Sequence, residues 1–162
     1  MAERARGGGA PELLRDDEVA AWQGLLETSG RVLRELDQSL RREHGISVGE
    51  FDVLITLFNA PGGRLRMAEL ARSVSLSPAG LSHLVVRLER ERLVRRATDA
   101  EDRRGSFTVL TAKGLIRLND ARPVHNEVIR RLFLSRITAG DRRQLAAIWT
   151  RAQTASRTRP GR

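Results

Sequence analysis

A mainly α-helical chain carrying one small β-hairpin is the fold class this sequence predicts, on three observations. Apolar residues recur at spacings of three, four and seven over most of the length, the period of amphipathic helices. Helix-start signals punctuate those segments: Ser47 with Glu50 three residues on, and Ser77 followed by Pro78. Only two runs of five or more residues read as strands, LVRRAT at 93–98 and SFTVLT at 106–111, and a charged loop joins them.

The elements follow in order. After a glycine-rich start, Asp16 or Asp17 is expected to cap a long helix whose apolar residues are Val19, Trp22, Leu25, Leu26, Val32, Leu33, Leu36 and Leu40. Gly45 stands where a left-handed C-terminal residue is needed. The next helix, VGEFDVLITLFNA, is apolar on most sides and should be buried until PGG at 61–63 stops it. RLR at 64–66 is long enough for one edge strand, and MAELARSV forms a short helix with Leu70, Ala71 and Val74 inward. A helix from Pro78 to about Glu91 carries Leu81, Leu84, Val85 and Leu88 on one stripe. In the second strand Phe107 and Val109 lie on one side and Thr108 on the other. Helical patterns at 112–134 and 139–156 close the chain, the second capped near Thr138 or Asp141.

Composition narrows the function classes. The chain has 162 residues, 40% hydrophobic and 30% charged, with a net charge of +9 and a single lysine, Lys113, among 29 basic residues. Arginine in excess suits a polyanion partner, because the guanidinium binds phosphate bidentately. An arginine-favouring codon bias gives the same Arg/Lys ratio but explains the positive excess less well. The charge is uneven: residues 1–66 are net −2, 67–114 net +3 and 115–162 net +8. No apolar run approaches the ~18 residues of a transmembrane helix, and the N-terminus lacks the apolar core of a secretory signal, so a cytoplasmic location without membrane contact is expected. The absence of cysteine excludes disulfides, thiol nucleophiles and cysteine-based metal or redox sites. His44, His83 and His125 are far apart in sequence, and no nucleophile motif, phosphate-binding glycine loop or paired-carboxylate signature occurs. No cofactor, no metal and no enzymatic activity are expected.

A short helix, a tight turn and a second capped helix form a helix-turn-helix, and a β-hairpin directly after it is a wing. The outward face of the 78–91 helix holds Ala79, Ser82, His83, Val86 and Arg90, flanked by Gly80 and Arg87. Its first half is small or polar, which lets a helix sit deep in a major groove of double-stranded DNA. Ser82 and His83 are suited to base edges or phosphates and Arg87 to a phosphate or a guanine. The helix start at Ser77 offers free N–H groups to phosphate. At the hairpin tip, Arg103 or Arg104 is placed to enter a flanking minor groove, where a narrow groove concentrates negative potential. Asp102 would be repelled by DNA, so its role is to hold an arginine in one rotamer.

The stretch LSPAGLSHLVVRLERERLVRRATDAEDRRGSFTVLTAKG, residues 76–114, resembles the winged helix of the MarR family of bacterial transcription regulators. The resemblance rests on VxRLExxxLV at 85–94, DxR at Asp102–Arg104 and LTxxG at 110–114, and the flanking helices fit the family's layout over about 17–156. It implies a winged helix-turn-helix homodimer with interlocking N- and C-terminal helices, reading an inverted-repeat operator, and release by a small aromatic or phenolic ligand. The chain then divides into a disordered tail (1–15), an N-terminal dimerisation helix (16–46), the winged helix-turn-helix (47–111), C-terminal dimerisation helices (112–156) and a disordered basic tail (157–162). Two positions depart from the family pattern: Val86 replaces a frequent Asp, and Arg92 replaces a usual Gly at the end of the recognition helix. The resemblance places the ligand near Trp22, His44, Phe51 and Asp52. Core packing is the competing reading of Trp22, and a solvated face shared with Thr56 and Asn59 that of Asp52.

The expected function is a dimeric, sequence-specific DNA-binding transcriptional regulator acting as a repressor. The alternative is a winged helix serving dimerisation or protein docking without sequence-specific DNA binding. With no cysteine present, operator binding in a gel-shift assay should be unchanged by diamide, a thiol oxidant. Loss of binding under diamide would contradict this.

Overall fold

The computed structural model describes residues 13–74, 77–98 and 106–157. Helix α1 (Asp16–His44) is 29 residues long, roughly 43 Å at 1.5 Å per residue. It starts one residue earlier than a cap at Asp16 would give and two earlier than a cap at Asp17. Arg15 is the N-cap, and its backbone N–H donates to Glu18 at 2.8 Å. Asp16 and Asp17 instead sit in the first turn, where negative charge favours the helix dipole. Gly45 ends α1 with φ 67°, as its position suggested, and its N–H reaches the Arg41 carbonyl at 3.0 Å. Helix α2 (Val48–Asn59) begins with the expected capping box: the Glu50 N–H donates to Ser47 Oγ at 3.2 Å and the Ser47 N–H to Glu50 Oε2 at 2.7 Å. Asp37 of α1 accepts the Val48 N–H at 3.0 Å, and Arg41 holds that carboxyl below its usual pKa. The first two helices are thereby fixed to each other.

Strand β1 (Arg64–Arg66) leads into α3 (Met67–Ser73), and α4 runs from Pro78 to Arg90. Strands β2 (Val94–Thr98) and β3 (Ser106–Leu110) complete an antiparallel sheet ordered β1-β3-β2, so the short strand is indeed an edge. Register pairs Arg66 with Phe107 and Ala97 with Phe107 across the two ladders. The inward face of β3 belongs to Thr108, which is fully buried and donates its hydroxyl to Met67 Sδ at 3.2 Å. Phe107 points the other way. Its ring centroid lies 4.7 Å from the Arg64 guanidinium and 5.2 Å from that of Arg66, two cation–π contacts. The alternation expected of β3 is present, with Thr108 on the buried side and Phe107 and Val109 on the other.

The core gathers α2, α3, α4 and one face of α5 (Ala112–Leu132). Leu54, Leu57, Leu70, Leu81, Leu88 and Leu118 are all fully buried in it. Removing one such side chain from water is worth about 1.5–3 kcal/mol. The junction between α4, β2 and α5 is built from backbone. Arg92 adopts φ 61°, its N–H donates to Glu89 and the Leu93 N–H to Leu88, both at 2.9 Å. These two bonds make a Schellman ending with arginine where glycine is usual. The Leu93 carbonyl then accepts the Thr111 N–H at 3.1 Å and the Thr111 hydroxyl at 3.0 Å. Gly114 passes so close that a Cβ there would lie 2.0 Å from that same oxygen.

Helix α6 (Ala139–Arg157) starts at the Thr138 and Asp141 pair, whose side chains and backbone exchange hydrogen bonds of 2.7–3.2 Å. The middle of α6 is exposed apart from half-buried Leu145. Trp22, Leu25, Leu26 and Leu33 of α1 and Ile148 and Trp149 of α6 are large apolar side chains left exposed.

Gly114→Ala should lower stability by about 1–3 kcal/mol or more, because a backbone oxygen has no rotamer with which to yield. Arg92→Gly should raise it by about 1 kcal/mol by relieving the left-handed strain. Chemical denaturation of both variants checks this, and an Arg92→Gly chain less stable than the parent would show the ending is not strained.

Candidate nucleic-acid interface

Helix α4 presents two unlike faces. Leu81, Val85 and Leu88 are fully buried, while Ser77, Ala79, Ser82, His83, Arg87 and Arg90 are exposed and Gly80 is half-buried. Ser77 caps the helix by accepting the Gly80 N–H at 3.1 Å. The first turn thus stands open to solvent, lined by small side chains. Glu89 holds Arg96 of β2 at 3.2 Å, which ties the helix to the hairpin behind it.

Arg87 is placed on this face but is already engaged. Its Nε lies 2.9 Å from Glu50 Oε1 and 3.5 Å from Glu91 Oε1. Glu50 is 1% exposed, so the pair joins a buried carboxylate to a half-exposed guanidinium. The sequence showed Glu50 only as a capping residue; nothing in its spacing of 37 residues from Arg87 links the two. The wing residues Asp102, Arg103 and Arg104 lie outside the described residues, and the last described pair of the hairpin is Thr98 with Ser106.

The four residues expected around a ligand do not come together. Trp22 is 55% exposed, and 22 positions of α1 separate it from His44, roughly 33 Å along the axis. It belongs neither to the core nor to a common pocket with His44. The His44 carbonyl accepts a hydrogen bond from Arg117 of α5. Phe51 is buried, and its ring stacks on that of His125 at 4.3 Å with 18° between planes. Asp52, far from forming a solvated face, is half-buried; burial raises its carboxyl pKa and the charge of His125 opposes the rise. Phe51, Asp52 and His125 therefore make one neighbourhood between α2 and α5. A separate open groove of about 370 Å³ lies between α1 and the C-terminal helices, lined by Leu25, Val32, Phe133, Leu145 and Trp149 among others. Among the described residues no group of three His, Asp or Glu is placed to hold a metal ion, and no helix is long and apolar enough to cross a membrane.

A capped helix-turn-helix backed by a three-stranded sheet with a two-stranded hairpin defines a winged-helix protein. The sequence profile of the MarR family matches residues 44–105. AbsC, a MarR family transcriptional regulator from Streptomyces coelicolor, is 31% identical, with 91% of this chain and 99% of that one covered and a TM-score of 0.82. Sco3205, a MarR family regulator from the same organism solved in complex with DNA, is also 31% identical, covering 94% of each chain with a TM-score of 0.82. The transcriptional repressor YetL of Bacillus subtilis is 36% identical over 81 residues, and that match spans about half of each protein, 50% of this chain and 48% of YetL. The chain belongs to the MarR family of transcriptional regulators, which are not enzymes.

The environment of Asp52 yields a pH prediction. Its folded pKa lies above the ordinary 3.8, so the cost of ionising it appears as pH rises through the folded value and vanishes well below 3.8. Asp52→Asn should therefore unfold at a higher temperature than the parent at pH 7 and at the same temperature near pH 3. A lower midpoint at pH 7 would show the carboxylate to be stabilising.

Proposed function

We propose that this chain is a homodimeric, sequence-specific repressor that reads an inverted-repeat operator in double-stranded DNA and is released by a small aromatic or phenolic ligand. The observation that carries it is the exposed face of α4, small and polar at its capped start and backed by fully buried Leu81, Val85 and Leu88. Such a helix enters a major groove without steric conflict, with Ser82 and His83 at base edges and Ser77, Ala79 and Gly80 allowing close approach. The likeness to Sco3205, a protein solved with DNA, supports the same reading. Arg103 or Arg104 of the wing takes the flanking minor groove, and Asp102 orients it. The exposed apolar stripe of α1 and α6, Trp22 and Trp149 included, is covered by a second copy, because a monomer rarely leaves so large a patch in water. The ligand binds by Phe51, Asp52 and His125, with His44 at the edge of the site, and acts in the compartment that holds the DNA, the cytoplasm.

The test is selection of bound duplexes from a random pool, followed by titration of variants on the selected sequence. His83→Ala should relax base preference at one position by about 1–3 kcal/mol. Arg104→Ala should leave that preference intact and flatten the salt dependence by about one unit. Asp102→Ala should weaken binding although it deletes a negative charge. A parent that binds selected and random duplexes equally would overturn sequence-specific recognition and favour a docking role.

A further inference from the structure

The pairing of Glu50 with Arg87 is not needed to cap α2. Glu50 Oε2 accepts from both the Ser47 N–H and the Ser47 hydroxyl, at 2.7 and 2.8 Å, and so completes the cap alone. Oε1 is left buried without an aligned hydrogen bond, and its compensation is the Arg87 Nε beside it at 2.9 Å. A buried carboxylate deprived of its counter-charge is strongly unfavourable, so this oxygen keeps Arg87 in place. The cap fixes the carboxylate plane to the backbone of α2, which makes Oε1 a fixed point rather than the end of a mobile chain. Both contacts of Arg87 use Nε: its N–H donates to Glu91 Oε1 at 3.5 Å, one turn along, and Glu50 Oε1 lies beside it as an ion-pair partner. Among the described residues no partner takes either Nη nitrogen, while half of the side chain is exposed.

We propose that Glu50 is a positioning residue for DNA recognition: from inside the core it fixes the Arg87 guanidinium so that its free Nη edge is presented to a backbone phosphate beside α4. The inference rests on the DNA-binding reading above. A guanidinium already held in one rotamer loses less freedom when it meets the phosphate. The sign of the effect separates this from simple electrostatics. Removing a negative charge near DNA tightens binding if only net charge matters. It loosens binding if the charge is what aims the arginine.

The experiment is a double-mutant cycle of Glu50→Gln and Arg87→Gln, titrated on the selected duplex at several salt concentrations, with the folded state of each variant checked by circular dichroism. Glu50→Gln keeps an oxygen for the Ser47 N–H and should weaken binding about tenfold. Both single variants should flatten the salt slope by about one unit, and adding Glu50→Gln to Arg87→Gln should cost nothing more. Binding by Glu50→Gln as tight as the parent, or losses that add in the double variant, would overturn the proposal. Should Glu50→Gln not fold, Arg87→Lys carries the test: one ammonium cannot both face Glu50 and reach the phosphate, so its slope should fall by about one, and an unchanged slope overturns the proposal. A parent with no preference for the selected duplex would instead overturn the DNA-binding reading itself.

Discussion

The carbonyl oxygen of Leu93 is the point through which the reading head is joined to the long C-terminal helix. It accepts two hydrogen bonds from Thr111, and Gly114 is present because nothing larger clears it. Lys113, the one lysine, adds a bond of 2.8 Å to the Glu91 carbonyl at the end of α4. The end of the recognition helix, the start of β2 and the first turn of α5 are thus one unit. The direction in which α5 leaves the head follows from that unit, and in the proposed dimer so does the spacing of the two heads. The strained Arg92 is tolerated because the bonds on either side of it determine its backbone.

A second chain of contacts runs through the start of α2. Asp37 receives the Val48 N–H, Ser47 and Glu50 cap the helix, Glu50 pairs with Arg87, and the next residue, Phe51, stacks on His125 of α5. One turn of α2 therefore touches α1, α4 and α5. In the proposed function this turn is where a ligand by Phe51 and Asp52 acts on the recognition helix, since the stacked ring and the carboxylate paired with Arg87 belong to adjacent residues.

The architecture was legible because its signals are local. Caps at Ser47, Ser77 and Thr138, the stop at Gly45 and the apolar stripe of α4 each lie within a few residues, and the structure places each as expected. What escaped was set by tertiary contact. Thr108 is buried because Met67 offers its hydroxyl a partner, and Phe107 turns outward because two arginines of β1 cover it. Trp22 reads as core on its helical stripe, yet α1 extends beyond the reach of its own chain's core. The pairing of Glu50 with Arg87 had no sequence signal, since both residues already had local explanations.

The central claim is that two of these heads, held apart by α1, α5 and α6, read DNA as a symmetric pair. Hydroxyl-radical footprinting on a selected duplex measures this directly. Two protected half-sites related by two-fold symmetry are expected, with centres about one helical turn, roughly 34–36 Å, apart. A single protected segment without symmetry would contradict the claim.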